Sequence, residues 1–113
     1  MTPRDETATE LLRGTLDLLI LRTLELQPLH GLGIADRIRQ VTRGTFAVPA
    51  GSLFPALHRL EQQGWIQGGW AASDEGRRIR TYRLTAAGRR QLSAEKRQWA
   101  RIVNAMTQVL ESR

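Results

Sequence analysis

The chain has 113 residues, with 17 lysines and arginines against 11 acidic residues, a formal net charge of +6 and no cysteine. This length fits one small domain that is stable without disulfides, and the missing cysteine excludes thiol nucleophiles, cysteine-bound zinc and a secreted disulfide framework. The basic residues are arginines apart from Lys96, which favours a polyanionic partner such as nucleic acid. Genome base composition alone could also produce this excess, so the placement of the charges along the chain has to decide.

We expect no targeting signal in the N-terminal region. Residues 1–9 are polar and are expected to form a flexible arm. The longest apolar stretch, residues 16–21, is interrupted by Asp17 and is too short for a signal peptide or a membrane span. We therefore expect a cytoplasmic protein that does not associate with a membrane.

Three helices are predicted before residue 64, because apolar residues recur at helical spacing in three segments. Thr15 is the expected N-cap of the first helix. The first predicted helix runs from Thr15 to just before Pro28, and the second from His30 and Gly31 to about Val41. The third runs from residues 49–52 to about Gln63, where Gly64 ends the helix. The apolar positions that define the three faces are Leu16, Leu19, Ile20 and Leu24; Ile34, Ala35, Ile38 and Val41; and Leu53, Leu57 and Leu60.

A hairpin and a long helix follow. Residues 65–70 are aromatic and flanked by glycine, which predicts a strand, and residues 73–76 are typical of a turn. Residues 78–84 predict the returning strand, with Tyr82 and Leu84 on one face. Thr85 is the expected cap of a last helix of about 25 residues.

This order of elements is typical of a winged helix-turn-helix, a mainly α (α+β) fold with three helices, a two-stranded wing and a long C-terminal helix. Residues 10–85 are the predicted DNA-binding domain, and residues 86–113 are the predicted dimerisation helix. The wing supports this interpretation, because six arginines occur between residues 77 and 90 without an acid: Arg77, Arg78, Arg80, Arg83, Arg89 and Arg90. The alternative is a merely soluble hairpin face, but such a face usually mixes charge signs.

The third helix is the predicted reading element, since its polar side faces away from its leucines. Ser52 is expected to position the helix on a phosphate or to act as an ordinary N-cap, while Arg59 and Gln62 are long enough to reach base edges. His58 is expected to be a packing or solvent residue. The predicted DNA-contacting residues are Ser52, Phe54, Pro55, Arg59, Gln62, Arg77, Arg78 and Arg80.

The last helix predicts a partner chain. A helix of this length spans roughly 38 Å, more than the preceding domain can cover. Its apolar stripe has near-heptad spacing, which is typical of a helix seam, although the first helix and the arm are expected to cover part of it. The stripe consists of Leu92, Trp99, Val103, Met106 and Leu110. Trp99 is expected to pack in this seam or to line a pocket for a small hydrophobic or aromatic effector.

Several segments resemble the PadR family of bacterial transcriptional regulators, in the compact form with one C-terminal helix. They are residues 12–21 (LRGTLDLLIL), 29–34 (LHGLGI), 51–61 (GSLFPALHRLE), 64–66 and 82–88 (YRLTAAG), of which the run 51–57 is the most specific. The resemblance implies a homodimeric repressor that binds a palindromic operator in double-stranded DNA. Where the family commonly carries tyrosine, this chain has Leu32, Phe54 and Thr81. The missing hydroxyl at Phe54 matters most, since phosphate contact then falls on Ser52, the wing arginines and backbone N–H groups.

An enzyme is not expected. Only two histidines are present, no hydrolase or metalloprotease motif occurs, and the Gly31-Leu32-Gly33 start of a dinucleotide loop continues to Asp36 instead of a third glycine. We expect no catalytic residues, cofactor or metal. The alternative function is a winged-helix module whose basic wing binds an acidic protein and which has no specific DNA site.

Overall fold

The computed structural model describes the backbone of residues 3–113 and the side chains of residues 14–113. The elements in chain order are α1 (Pro3–Leu26), β1 (Leu29–His30), α2 (Gly31–Val41), α3 (Ala50–Gln62), β2 (Ile66–Ala72), β3 (Arg78–Leu84) and α4 (Ala86–Glu111). The predicted fold class is confirmed: the chain is mostly helical, with a hairpin between the third helix and a long last helix.

The first helix begins earlier than its sequence pattern predicts. It starts at Pro3, so the N-cap prediction for Thr15 is wrong and this residue lies inside α1. Proline suits the first position of a helix, where its missing N–H needs no partner, and no second proline follows before the end of α1. A flexible arm was predicted over residues 1–9. Its first two residues lie outside the described part of the chain, and the flexibility of the arm stays a prediction.

The hairpin belongs to a three-stranded antiparallel sheet with the order β1-β3-β2. Leu29 of β1 lies opposite Tyr82 of β3, and this short strand was not predicted because two residues carry no alternation pattern. The strand β2 begins at Ile66, one residue after the predicted start, and reaches Ala72. Because β3 is the central strand, the base of the wing is held from both sides.

The core lies where α1, α2 and α3 meet the sheet and the first part of α4. The inward face predicted for α3 is confirmed, since its three leucines are almost completely buried. The largest fully buried side chains are Ile20, Leu21, Ile34, Leu53, Leu57, Leu60, Ile66 and Leu92. Within residues 3–113, no helix is both long and apolar enough to cross a lipid bilayer.

The start of α4 is joined closely to the end of α3. The Thr85 hydroxyl accepts a hydrogen bond from the backbone N–H of Gly88 at 3.0 Å, which confirms the predicted cap, and donates one to the carbonyl oxygen of Gly64 at 2.6 Å. A Cβ carbon placed on Gly88 would lie only 2.0 Å from the carbonyl oxygen of Trp65. Only glycine therefore allows the first turn of α4 to cross the chain so closely at this point.

Candidate nucleic-acid interface

The outer face of α3 is exposed apart from the partly buried Arg59. Ser52, Pro55, His58 and Gln62 are all exposed, on the side opposite the buried leucines. The N-cap of α3 is Pro49, without a side-chain capping bond, so the alternative interpretation of Ser52 as the N-cap is wrong. The hydroxyl of Ser52 therefore lies on the outer face of the first helical turn, next to backbone N–H groups that favour an anion.

Phe54 contributes to the packing of α3 on α2 as well as to the exposed face. Its side chain is 45% exposed, but a Cβ carbon on Gly31 would lie 2.9 Å from its ring. Gly31 begins α2, so the absence of a side chain there lets the two helices of the helix-turn-helix approach each other. The predicted DNA contact of Phe54 stays a prediction for the exposed part of this ring.

Arg59 already has a partner in the same chain. Its guanidinium donates a hydrogen bond to the Asp17 carboxylate on α1, and the two side chains are 32% and 14% exposed. The pair connects the last turn of α3 to α1 across 42 positions of sequence. To read a base, as predicted, the Arg59 guanidinium would have to give up or share this carboxylate.

The wing arginines fall into two groups. Arg77 and Arg78 are exposed, and the Arg78 guanidinium lies 4.8 Å from the centre of the Trp70 ring. Arg80 is only half-exposed and donates a hydrogen bond to the Glu61 carboxylate at the end of α3. This hydrogen bond raises the pKa of the Arg80 guanidinium above its usual value, against the opposing effect of desolvation.

Trp70 is a site residue that the sequence interpretation missed. Its ring is 60% exposed on β2, with Arg78 on one side and Arg80 at 5.7 Å. Arginine stacks on tryptophan through a cation–π interaction, which limits the directions its guanidinium takes. The sequence signal that could have identified it is an aromatic residue on β2, the strand that pairs with the arginine-rich strand β3.

The residues of the predicted seam on α4 fall into two groups, one buried and one exposed. Leu92 is buried in the core of its own chain, so its assignment to the seam is corrected, and the α4 helix is attached to α1 nearby through Lys96 and Glu25 at 3.4 Å. Beyond that point Ile102 is still partly buried, but the other large apolar side chains are exposed. They are Trp99, Val103, Met106, Val109 and Leu110, of which Leu110 is 79% exposed.

The arrangement of α2, α3 and the two-stranded wing is a winged helix-turn-helix, a class of DNA-binding domain in which the exposed helix reads the major groove. Residues 20–94 match the model of the transcriptional regulator PadR-like family. The chain belongs to this family, which confirms the resemblance seen in the sequence. The protein is therefore a DNA-binding transcriptional regulator.

Similar proteins agree with this assignment. A transcriptional regulator of Mycobacterium tuberculosis, Rv3488, is 34% identical over 88 residues, which covers 78% of each protein. The crystal structure of a PadR family transcription regulator from Clostridium difficile is 32% identical with a TM-score of 0.74, covering 84% of this chain and 97% of that one. A PadR family regulator from Eggerthella lenta has a TM-score of 0.79 at 28% identity, covering 96% of this chain and 93% of that one.

Proposed function

We propose that the protein is a homodimeric cytoplasmic repressor that binds a palindromic operator, with α3 in the major groove and the wing against the flanking backbone. The observation that carries the proposal is the pairing of an uncharged, exposed face on α3 with exposed arginines on the wing. Glu61, the acidic residue of α3, is neutralised by Arg80. Polar groups that read bases thus lie beside cations that bind phosphates.

The exposed residues divide this work between them. Gln62 reaches base edges in the groove, Ser52 and Pro55 lie where the first turn of α3 approaches the backbone, and Arg77 and Arg78 bind phosphates from the wing. All five side chains are exposed in the free protein. Arg77 and Arg78 have no acidic partner within the described residues, so phosphates are their natural counterions.

The second copy is proposed to cover the α4 seam. Its large apolar side chains lie on one helix, and a contiguous apolar patch of this kind in a small protein marks an interaction surface. An isologous contact between two α4 helices buries the patch and gives the two-fold symmetry of a palindromic site. In that dimer Trp99 packs across the seam, while a pocket for a small aromatic effector beside it is the other outcome to be tested.

The proposal is tested by selecting bound duplexes from a random DNA pool and comparing a selected sequence with its scrambled version. We expect a palindromic consensus and at least about 10³-fold tighter binding of the selected duplex. Sedimentation should show two protomers on each duplex. Equal affinity for the two duplexes would instead favour the wing as a docking surface for an acidic protein.

A further inference from the structure

One carboxylate on α3 contacts both strands of the wing. Glu61 lies one residue before the end of α3, and its Oε2 accepts a hydrogen bond from Arg80 Nη2 of β3 at 2.5 Å. The same oxygen accepts one from the backbone N–H of Gly68 on β2 at 3.3 Å. The end of the recognition helix is thereby connected to the wing independently of the core.

The chain around Arg80 is shaped to hold its guanidinium in place. A Cβ carbon on Gly68 would lie 2.7 to 2.8 Å from the Nε, Cζ and Nη2 atoms of Arg80, so any side chain at this position would push the guanidinium out of its place. Trp70 and Tyr82 flank the guanidinium, with ring centres at 5.7 and 5.8 Å. A glycine platform, two aromatic rings and a carboxylate together fix one orientation of this side chain.

We propose that Arg80 is a positioning residue that, with Glu61, holds the wing at a fixed angle to α3 and keeps Trp70 in place behind Arg78. This inference rests on the proposed function, in which α3 and the wing bind the same duplex. The distal half of the hairpin is mostly exposed, so the core restrains it little. If the hairpin is already fixed in the free protein, less conformational entropy is lost when the protein binds DNA.

Removing Glu61 distinguishes this role from a direct phosphate contact. If Arg80 binds phosphate, Glu61→Ala frees its guanidinium, removes an acid near DNA and tightens binding. If Arg80 positions the wing, Glu61→Ala releases the hairpin and weakens binding by about three- to tenfold. The two roles thus give opposite signs for one substitution.

The experiment measures the affinity of the full chain for its selected duplex by fluorescence anisotropy over a series of salt concentrations. We expect Glu61→Ala and Arg80→Ala each to weaken binding and to leave the slope of log K against log salt unchanged, with no further loss in the double variant. The matched controls are Arg78→Ala, which should flatten the slope by about 0.9, and Glu75→Ala, an exposed wing acid whose loss should not weaken binding.

Gly68→Ala is a second perturbation that keeps both charges, and it should also weaken binding because its methyl group displaces the guanidinium. Hydrogen exchange of the free protein should show faster exchange of the β2–β3 amides in all three variants. Because hydrogen exchange is measured without DNA, it tests the Glu61–Arg80 pair even if the wild type has no specific DNA site. In that case the proposed function fails, and the positioning role of the pair is still tested. Tighter or unchanged binding by Glu61→Ala, or a flattened slope in Arg80→Ala, would overturn the proposal.

Discussion

The close crossing at Gly88 provides the sharpest stability prediction. A methyl group there would lie 2.0 Å from the Trp65 carbonyl oxygen and 2.7 Å from Leu84 Cδ1, and a backbone atom cannot move aside as the end of a flexible side chain can. Gly88→Ala must therefore lift the first turn of α4 away from Trp65. Overpacking of this kind costs about 1 to 3 kcal/mol, against a gain of up to about 1 kcal/mol from replacing a helical glycine. Since a methyl group 2.0 Å from a backbone atom falls in the upper part of that cost range, we expect a net loss of about 1 to 2 kcal/mol.

Gly14→Ala is the matched control, since Gly14 lies in α1 and, among the described residues, no atom outside its own stretch of helix lies within 4 Å of its missing Cβ. It should stabilise the protein by about 0.4 to 1 kcal/mol. Urea unfolding followed by circular dichroism measures both changes, at a protein concentration kept equal because a dimer adds mass action. Equal gains in the two variants would refute the close approach of α4 to the end of α3.

Four further outcomes are expected. Arg59→Ala should lower the free energy of unfolding in urea by about 1 kcal/mol, because the Asp17 carboxylate, which is 14% exposed, loses one charged donor. If Arg59 instead only reads a base, stability is kept and preference at one base position is relaxed. Arg78→Ala should weaken binding to selected and scrambled duplexes alike, whereas a loss confined to the selected duplex would indicate base reading. Met106→Glu should shift sedimentation to the monomer and abolish operator binding while circular dichroism is retained; a dimer at the wild-type concentration would exclude the α4 seam. Glu25→Gln should reduce the acid sensitivity of unfolding, because the hydrogen bond from Arg22 holds the pKa of Glu25 below its ordinary value of 4.5 in the folded protein. The ionised Glu25 therefore stabilises the fold above that pH, and this stabilisation is lost as the pH falls through the lowered pKa of the folded state. Identical pH profiles for the variant and the wild type would contradict this reasoning.

Local sequence signals predicted the elements well where one segment carries its own pattern. The leucine spacing of α3 identified its buried face, and Thr85 and Gly64 marked a helix start and a helix end because capping and positive φ depend on neighbouring residues. The start of α1 was missed because the polar residues after Pro3 show no apolar face. The strand β1 was missed because its pairing is with residues 53 or 51 positions away, Leu29 with Tyr82 and His30 with Thr81.

The candidate site was less predictable, because its side chains are arranged by contacts between distant segments. The pattern marked Arg59 and Arg80 as basic and outward, but their carboxylate partners lie 42 and 19 positions away. Likewise, periodicity placed Leu92 and Trp99 on one stripe and could not show that the chain covers the first and exposes the second. Pairwise tertiary contacts of this kind leave no mark on the spacing of either residue.

The uninterrupted helix α4 makes the DNA-binding domain and the proposed seam mechanically continuous. With 26 residues it is roughly 39 Å long, and its first turn is locked to the end of α3. A tilt of about 5° around its far end displaces that first turn by about 3.4 Å, which equals the rise of one base pair of B-DNA. In the proposed dimer, α4 would therefore act as a lever arm. A packing change too small to separate the two protomers would still shift their two α3 helices relative to the proposed operator by a whole base pair.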